Sequence, residues 1–333
     1  YNTFSLDDRT TIEYKSHLPA MSIPELLKGL RKLYNLVLFF DVQNRVLTAK
    51  FAKTLFNQPV TLNLSSKIVP SYNRSPERAN RLELDWQLDS NELAALFSIP
   101  RVKLVNDFEA AALGIAALSD DDQVILQVGQ PHAQAMRVIL GAGTGMGVAW
   151  LVPDSARDLT IATEAGHVDF APRNPQEIDL WHVLQQQFGH VSVERILSGP
   201  GLTQIYNFLQ ARQKTLSGAP SPALKEDSGA TITTLAQTHQ HPLAIKSLHL
   251  FAEIYGAYAG NLALTGLCRG GVYLAGGIAP RIVPILRSGG FMQAFCDKGR
   301  FSALMQEIPV HVITNPQVGL LGARREAQRL LTH

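Results

Sequence analysis

The sequence has few cysteines and little net charge. Only two cysteines, Cys268 and Cys296, occur in 333 residues, too few for a disulfide framework or a four-cysteine zinc site. This scarcity favours a reducing compartment and predicts a cytoplasmic protein. The formal net charge is +2 and no basic stripe stands out, so nucleic acid is not an expected partner.

Long apolar runs are also missing. No stretch reaches the roughly 20 apolar residues that cross a bilayer, so no membrane partner is expected. The start, Tyr1 to Phe4, lacks the features of a signal peptide and the initiator methionine, which leaves open a start inside a longer protein. Hydrophobic residues nevertheless make up 46% of the chain, and its length favours two domains.

Strand and helix patterns alternate along the chain, which indicates an α/β fold. A capping box at Ser22 predicts a helix and residues 36–40 a strand, whereas residues 41–81 receive no element. Further strands are predicted at 102–105, 124–128, 136–140, 148–152, 271–274 and within 307–313. Helices are predicted after Asp89, from Asp107 to about Leu118, at 242–264 and at the end of the chain, and a surface loop at 215–228.

The segment Gly141-Ala-Gly-Thr-Gly-Met-Gly147 is rich in glycine and is followed by the strand predicted at 148–152. A dinucleotide fingerprint needs a helix there, so the segment is predicted to be a hairpin tip. Backbone N–H groups around Gly141, Gly143, Thr144 and Gly145 would approach phosphate oxygens closely, as in an actin-like ATPase. A plain glycine-rich hairpin is the alternative.

A second glycine pair, Gly276-Gly277, follows a predicted strand and precedes a helix predicted near Pro280. Two glycines at a strand end permit a flat nucleoside to lie against the backbone. An ordinary strand-to-helix turn is the alternative interpretation of this pair.

Asn106 and Asp107 follow the strand predicted at 102–105. In open α/β sheets, ligands lie beyond the carboxyl ends of the strands, where a carboxylate can take a proton from an attacking hydroxyl. The alternative is that Asp107 only caps the next helix.

Glu164 and His167 stand in the segment Glu164-Ala-Gly-His-Val-Asp169. Gly166 and Val168 favour a loop and strand over a metal-binding helix, so no metal site is predicted. A carboxylate and an imidazole offer the acceptors and the donor that a polyol needs. Glu194, considered alone, is typical of a solvated surface charge.

Several segments together resemble the bacterial glucokinase family, within the hexokinase and actin-like superfamily. Residues 163–172, TEAGHVDFAP, resemble its GEGGHVDFAP signature. The likeness continues in GHVSVERILSGPG (189–201), AGGIAPR (275–281), AFCDKGRF (294–301) and GLLG (319–322). It runs from about Leu84 to the end of the chain, and the cysteine-rich zinc motif of the related repressor and sugar-kinase group is absent.

The resemblance implies a glucokinase, which makes glucose 6-phosphate from glucose, or a close hexose, and ATP in the first step of glycolysis. Asp107 matches the family's catalytic base, and Asn106 the asparagine of its NDF motif. The other implied site residues hold the ring hydroxyls (Glu164, His167, Glu194), the ATP phosphates (Gly143, Thr144, Gly145) and adenosine (Gly276, Gly277). Mg²⁺ would arrive with the ATP.

The implied fold is the two-domain actin-like ATPase (ribonuclease H-like) fold, with an active-site cleft between a small and a large domain. The small domain is expected at 1–107, completed by the C-terminal helix at 316–333, and the large domain at 108–315. Relatives in the family lead us to expect a homodimer.

The first third departs from the family pattern. The family's opening Asp-x-Gly-Gly-Thr-Asn phosphate loop does not occur, and Glu83 stands where an asparagine normally contacts the sugar. Two alternatives follow: a non-catalytic sugar-binding or regulatory homologue, or a glucokinase whose N-terminal third is truncated or frameshifted.

Overall fold

The structure, a computed structural model, describes residues 3–7, 10–13, 36–41, 46–51, 90, 101–154, 158–217 and 228–332. The chain divides into two units, Tyr1–Leu104 and Val105–His333. The division predicted from the sequence, with residues 316–333 completing the small domain and a cleft between the domains, stays a prediction.

The first unit contains four described strands in two antiparallel pairs, β1 with β2 and β3 with β4. These strands are β1 (Thr3–Asp7), β2 (Thr10–Glu13), β3 (Leu36–Asp41) and β4 (Val46–Phe51). β3 confirms the strand predicted at 36–40, and β4 lies where no element was assigned. The helix predicted at Ser22, the residue Glu83 and all but Ser90 of the helix predicted after Asp89 lie outside the described residues.

The second unit is built on a mixed sheet in the order β5-β10-β9-β6-β7-β8. Its strands are β5 (Gln123–Gln127), β6 (Arg137–Ala142), β7 (Met146–Val152), β8 (Leu159–Thr163), β9 (Gly271–Ala275) and β10 (Val310–Ile313). β9 runs parallel to β6 and β10, whereas β5, β7 and β8 pair antiparallel with their neighbours. The sheet with its helices confirms the predicted α/β class.

Side chains along each strand alternate between two buried faces of this sheet. Val138 and Leu140 of β6 lie on one face, here called the broad face, and Ile139 lies on the other, the narrow face. Because both faces are covered, β6 is a continuous apolar run rather than an alternating one.

Helices α2 to α8 contribute to the core on the broad face, and α1 and α9 to the core on the narrow face. The nine helices described in this unit are α1 (Asp107–Gly114), α2 (Pro175–Phe188), α3 (Gly199–Ser217), α4 (Gly229–Gln237), α5 (Pro242–Thr265), α6 (Val283–Arg287), α7 (Gly290–Cys296), α8 (Ser302–Glu307) and α9 (Val318–Thr332).

Helices α1 and α9 pack with their backbones unusually close. A Cβ on Gly114 would overlap the carbonyl of Val318, and a Cβ on Gly322 would overlap the carbonyl of Ala110. The GLLG motif at 319–322 therefore serves helix packing, because any side chain at Gly322 would push the two helices apart.

Two predicted elements differ from the structure, a strand at the junction of the two units and a loop in the second unit. Residues 102–105 form no strand, because they pair with no strand in the described part of the chain, and strand propensity depends on cross-strand neighbours. The loop predicted at 215–228 begins later, since α3 continues to Ser217, and residues 218–227 lie outside the described residues. The helix predicted from Asp107 to about Leu118 is an α-helix only to Gly114 and continues as a 3₁₀ turn, Ile115–Ala117. The other strands and helices predicted in this unit are confirmed to within three residues.

Candidate active site

Helix α1 begins at the candidate base. Asn106 is its N-cap, and the Asn106 side-chain oxygen accepts hydrogen bonds from the N–H groups of Phe108 at 2.8 Å and Glu109 at 3.3 Å. Asp107 is the first helical residue and is exposed. The interpretation of Asp107 as the cap is therefore wrong, and its carboxylate lies accessible at the positive end of the helix.

Phe108 connects this helix end to the glycine-rich hairpin. Gly141 of β6 and Gly147 of β7 are directly opposite each other in the ladder. A Cβ on Gly147 would overlap the Phe108 ring, and a Cβ on Gly141 would lie 2.8 Å from its Cζ. The two glycines thus make room for an aromatic ring rather than only for a turn.

The hairpin itself is confirmed, with β6 and β7 joined through Gly143, Thr144 and Gly145. The Gly143 N–H donates to the Gly145 carbonyl at 2.8 Å, which closes the tip. Among the described residues, no atom lies within 4 Å of a Cβ built on Gly143, so none of them covers the backbone there. The Gly143 carbonyl accepts from the N–H of Gly199, the first residue of α3, also at 2.8 Å.

Glu194 is bound to this hairpin rather than solvated alone. It lies in a 3₁₀ turn, Val193–Arg195, and is half-buried. Its Oε2 accepts a hydrogen bond from the Met146 N–H at 2.9 Å, and a Cβ on Gly145 would lie 2.5 Å from the same oxygen. A charge-assisted bond to a backbone amide is stronger than a neutral one, so Glu194 helps to fix the tip.

Glu164 and His167 lie on the 3₁₀ turn that follows β8. His167 Nε2 lies 3.8 Å from Glu164 Oε2, and the side chains of His167 and Glu164 are 59% and 85% exposed. The turn is anchored by Tyr258 of α5, whose hydroxyl donates to the Ala165 carbonyl at 2.5 Å. Burial raises the pKa of Tyr258, so this hydroxyl stays a donor at neutral pH.

A short antiparallel bridge joins the Glu164 turn to the Glu194 turn. The N–H of Val193 donates to the Val168 carbonyl at 2.9 Å, and the N–H of Phe170 donates to the Val191 carbonyl at 2.9 Å. The three candidate sugar ligands therefore stand on two segments that are fixed to each other. Within the described part of the chain, no three His, Cys, Asp or Glu side chains cluster as a metal site would require.

The Gly276-Gly277 turn adjoins the root of the hairpin. β9 and β6 are parallel neighbours with Ala275 opposite Gly141, which places the turn beside the end of β6. Gly276 has a φ of +79°, a conformation that glycine adopts without strain. The Ile278 N–H donates to the Ala142 carbonyl at 3.2 Å. In the part of the chain that the structure describes, no atom lies within 4 Å of a Cβ built on Gly277.

An open pocket of about 490 Å³ lies at the far end of the bridge. Its lining includes Phe170, Trp181 and the pair Asp169–His190, whose Oδ1 and Nε2 atoms are 2.7 Å apart. None of the residues proposed from the sequence lines it.

Sequence reasoning missed Phe108 and the link from Glu194 to Met146. An available signal for Phe108 was the pair of glycines at both roots of the hairpin, which a two- or three-residue turn does not need. The Glu194 contact has no local signal, because the two partners are 48 residues apart.

Comparison with known proteins identifies the same family along most of the chain. The family model described as glucokinase matches residues 76–330. A glucokinase of Nostoc punctiforme is 42% identical over 270 residues, which cover 76% of this chain and 78% of the relative. A glucokinase of Synechocystis sp. is 41% identical over 256 residues, covering 72% of each chain.

Solved structures agree with these sequence matches. The crystal structure of a glucokinase from an Antarctic psychrotroph superposes with a TM-score of 0.64 at 29% identity, covering 72% of each chain. The crystal structure of Balamuthia mandrillaris glucokinase, solved with glucose, superposes with a TM-score of 0.61 at 22% identity, covering 71% of this chain and 68% of its own. At this identity the likeness supports the fold alone.

Proposed function

The chain belongs to the glucokinase family and is an ATP-dependent hexose kinase with an actin-like ATPase fold, and we propose that Asp107 is its catalytic base. One observation carries this proposal: the accessible carboxylate of Asp107 precedes Phe108, which packs on the glycine hairpin. The candidate base and the candidate phosphate loop are thus two parts of one packed contact.

The hairpin would hold the phosphates of ATP through Gly141, Gly143, Thr144 and Gly145. The open space above Gly143 supports this assignment, because a phosphate oxygen can approach the backbone there without meeting a side chain. ATP would bring Mg²⁺ with it as part of the substrate.

Adenosine would lie against the Gly276-Gly277 turn. The turn is beside the root of the phosphate hairpin, and no atom of a described residue lies within 4 Å of a Cβ built on Gly277. The order along one edge of the sheet therefore suits a nucleotide, with the nucleoside at β9 and the phosphates at β6 and β7.

Glucose, or a close hexose, would be held by Asn106, Glu164, His167 and Glu194. The Asn106 oxygen is used as the helix cap, so its NH₂ group is the part that would donate to a sugar hydroxyl. The exposed Glu164 and His167 side chains supply further acceptors and a donor.

The reaction then follows from these positions. Asp107 accepts the proton of the 6-hydroxyl while that oxygen forms a bond to the γ-phosphorus, and the bond from phosphorus to the β-phosphate oxygen breaks to release ADP. Phosphoryl transfer needs mainly positioning and charge stabilisation, which a base and a loop locked together provide.

Three broader assignments accompany this proposal: a homodimer, a cytoplasmic location, and a role in the first step of glycolysis. The low cysteine content supports the location. Among the described helices, none has the length and apolar character that a membrane span requires.

The test is a coupled assay for glucose 6-phosphate with the variant Asp107→Asn. Loss of the general base is expected to lower kcat by about 10²–10⁴-fold. Asp121→Asn, an exposed carboxylate in the 3₁₀ turn Asp120–Asp122, is the matched control and should keep full activity. Undiminished activity of Asp107→Asn would remove this residue from the role, and glucose binding without ATP turnover in the native chain would favour the non-catalytic homologue.

A further inference from the structure

One aromatic ring packs the first turn of α1 against the hairpin strands β6 and β7. The Phe108 ring fills the space that side chains at the paired residues Gly141 and Gly147 would occupy. Gly141 is two residues from Gly143, where the exposed tip of the hairpin begins. Phe108 therefore spans the short distance between the helix end that carries Asp107 and the base of the loop.

Other contacts hold α1 at points away from the roots of the hairpin, and the middle of the helix shares the narrow-face core with Ile139 and Ala149. Its far end is held by α9, through the close contacts at Gly114 and Gly322. Glu109 accepts a hydrogen bond from the Thr160 hydroxyl at 2.6 Å, which ties the helix to β8. Neither of these two contacts involves residues 141–147, so at the roots of the hairpin the first turn rests on the Phe108 ring.

We propose that Phe108 is a positioning residue that sets the separation between the Asp107 carboxylate and the phosphate hairpin. This inference rests on the proposed role of Asp107 as the base. The ring touches the roots of the hairpin rather than its tip, so its effect on the reaction passes through Asp107. A rigid aromatic in contact with two backbones fixes a distance that a flexible or shorter side chain leaves variable.

The test measures kcat and both KM values for Phe108→Ala and Phe108→Leu. Phe108→Ala is expected to lower kcat by about 100-fold, the effect of misplacing a reacting group by about 1 Å. Both KM values should stay unchanged, because the sugar ligands and the hairpin tip are intact. Phe108→Leu keeps an apolar contact, so it should fold even if Phe108→Ala does not. Its kcat should lie between that of the native protein and that of Phe108→Ala.

A double-mutant cycle separates positioning from a purely structural role. If Phe108 acts through Asp107, Phe108→Ala added to Asp107→Asn should leave the residual rate, followed with radiolabelled ATP, within about threefold of Asp107→Asn alone. Phe295→Leu, a fully buried ring in the core of the broad face, is the matched control and should lower stability without lowering kcat.

Each other result decides against the inference in a distinct way. A normal kcat in both Phe108 variants, or a further fall in the double variant, including one below detection, overturns the positioning role while leaving Asp107 as the base. A rise in KM with unchanged kcat would mean that the ring supports substrate binding instead. Full activity of Asp107→Asn would instead remove the proposed function on which the inference rests.

Discussion

The two faces of the six-stranded sheet are packed in different ways. On the broad face, the described helices α2 to α8 pack on a core that contains large aromatic side chains, and Tyr255 meets Phe251 and Phe291 edge to face with centroids 5.8–5.9 Å apart. On the narrow face, two helices lie close through glycines, and the core there is small. The broad face therefore holds the larger buried apolar core, and the narrow face is covered by α1, the helix that begins with the candidate base Asp107.

The contrast teaches where flexibility would be harmful. Hydrophobic stabilisation grows with buried apolar area, so the broad face dominates the free energy of unfolding. On the narrow face α1 begins at Asp107, the proposed base, where a small shift is expected to change catalysis more than stability. Substitutions on the two faces should therefore separate the free energy of unfolding from kcat.

Phe251→Ala is expected to have the largest effect on stability. The ring is fully buried in α5, and removing it leaves a cavity that costs about 3–5 kcal/mol of unfolding free energy. Urea denaturation measures this loss, while kcat per folded molecule should stay unchanged. A matching fall in kcat would break the comparison, because the broad face would then also position the base.

Gly322→Ala is expected to cost less stability and more activity. The new methyl group would overlap the Ala110 carbonyl and part α9 from α1, at about 1–3 kcal/mol for overpacking. The displaced α1 carries Asp107 with it, so kcat should fall well below that of Phe251→Ala.

The matched control for this substitution is Gly319→Ala. Among the described residues, its Cβ would meet the Asp107 carbonyl oxygen alone, at 3.9 Å, an ordinary contact. Alanine also favours a helix more than glycine does, so this variant should keep its activity and gain slightly in stability. Equal damage from both variants would show that close packing at Gly322 is not the cause.

Much of the second unit could be predicted from the sequence because its signals are local. The apolar runs of β6 and β7, the glycine-rich hairpin between them and the long helix α5 each carry their own pattern. The strand predicted at 102–105 failed because its β-branched residues have no described partner strand, and partners are not encoded in a short segment.

The candidate site was predictable in its residues but not in its contacts. Asn106 and Asp107 are both good caps by residue type, so only the backbone distinguishes the cap from the base. Phe108 follows Asp107 directly, yet its partners are glycines more than 30 positions away in the printed sequence. Such long-range complementarity is a property of packing and leaves no periodic pattern.

The smallest expected effect is at His311, in the pH dependence of the free energy of unfolding. It lies on β10, stacked on Tyr273 of the narrow face with ring centroids 5.0 Å apart, and its Nδ1 is buried without a hydrogen-bond partner among the described residues. Burial lowers the pKa of His311, so the folded state keeps this ring neutral while the unfolded chain takes up a proton. The stability that depends on the neutral ring is therefore fully present above the unfolded pKa of about 6.5 and is lost as the pH falls below it.

His311→Phe keeps the stacking on Tyr273 and removes the titration. The native protein should lose more thermal stability than this variant between pH 7.5 and pH 5.5. The other histidines are the same in both proteins, so the difference isolates His311. Melting temperatures at the two pH values measure the difference. Parallel losses would mean that His311 is protonated equally well in both states, and that the narrow face tolerates a charge beside Tyr273. Because α1 covers the same face, a widened gap at low pH should be accompanied by a fall in kcat that the Phe variant does not show.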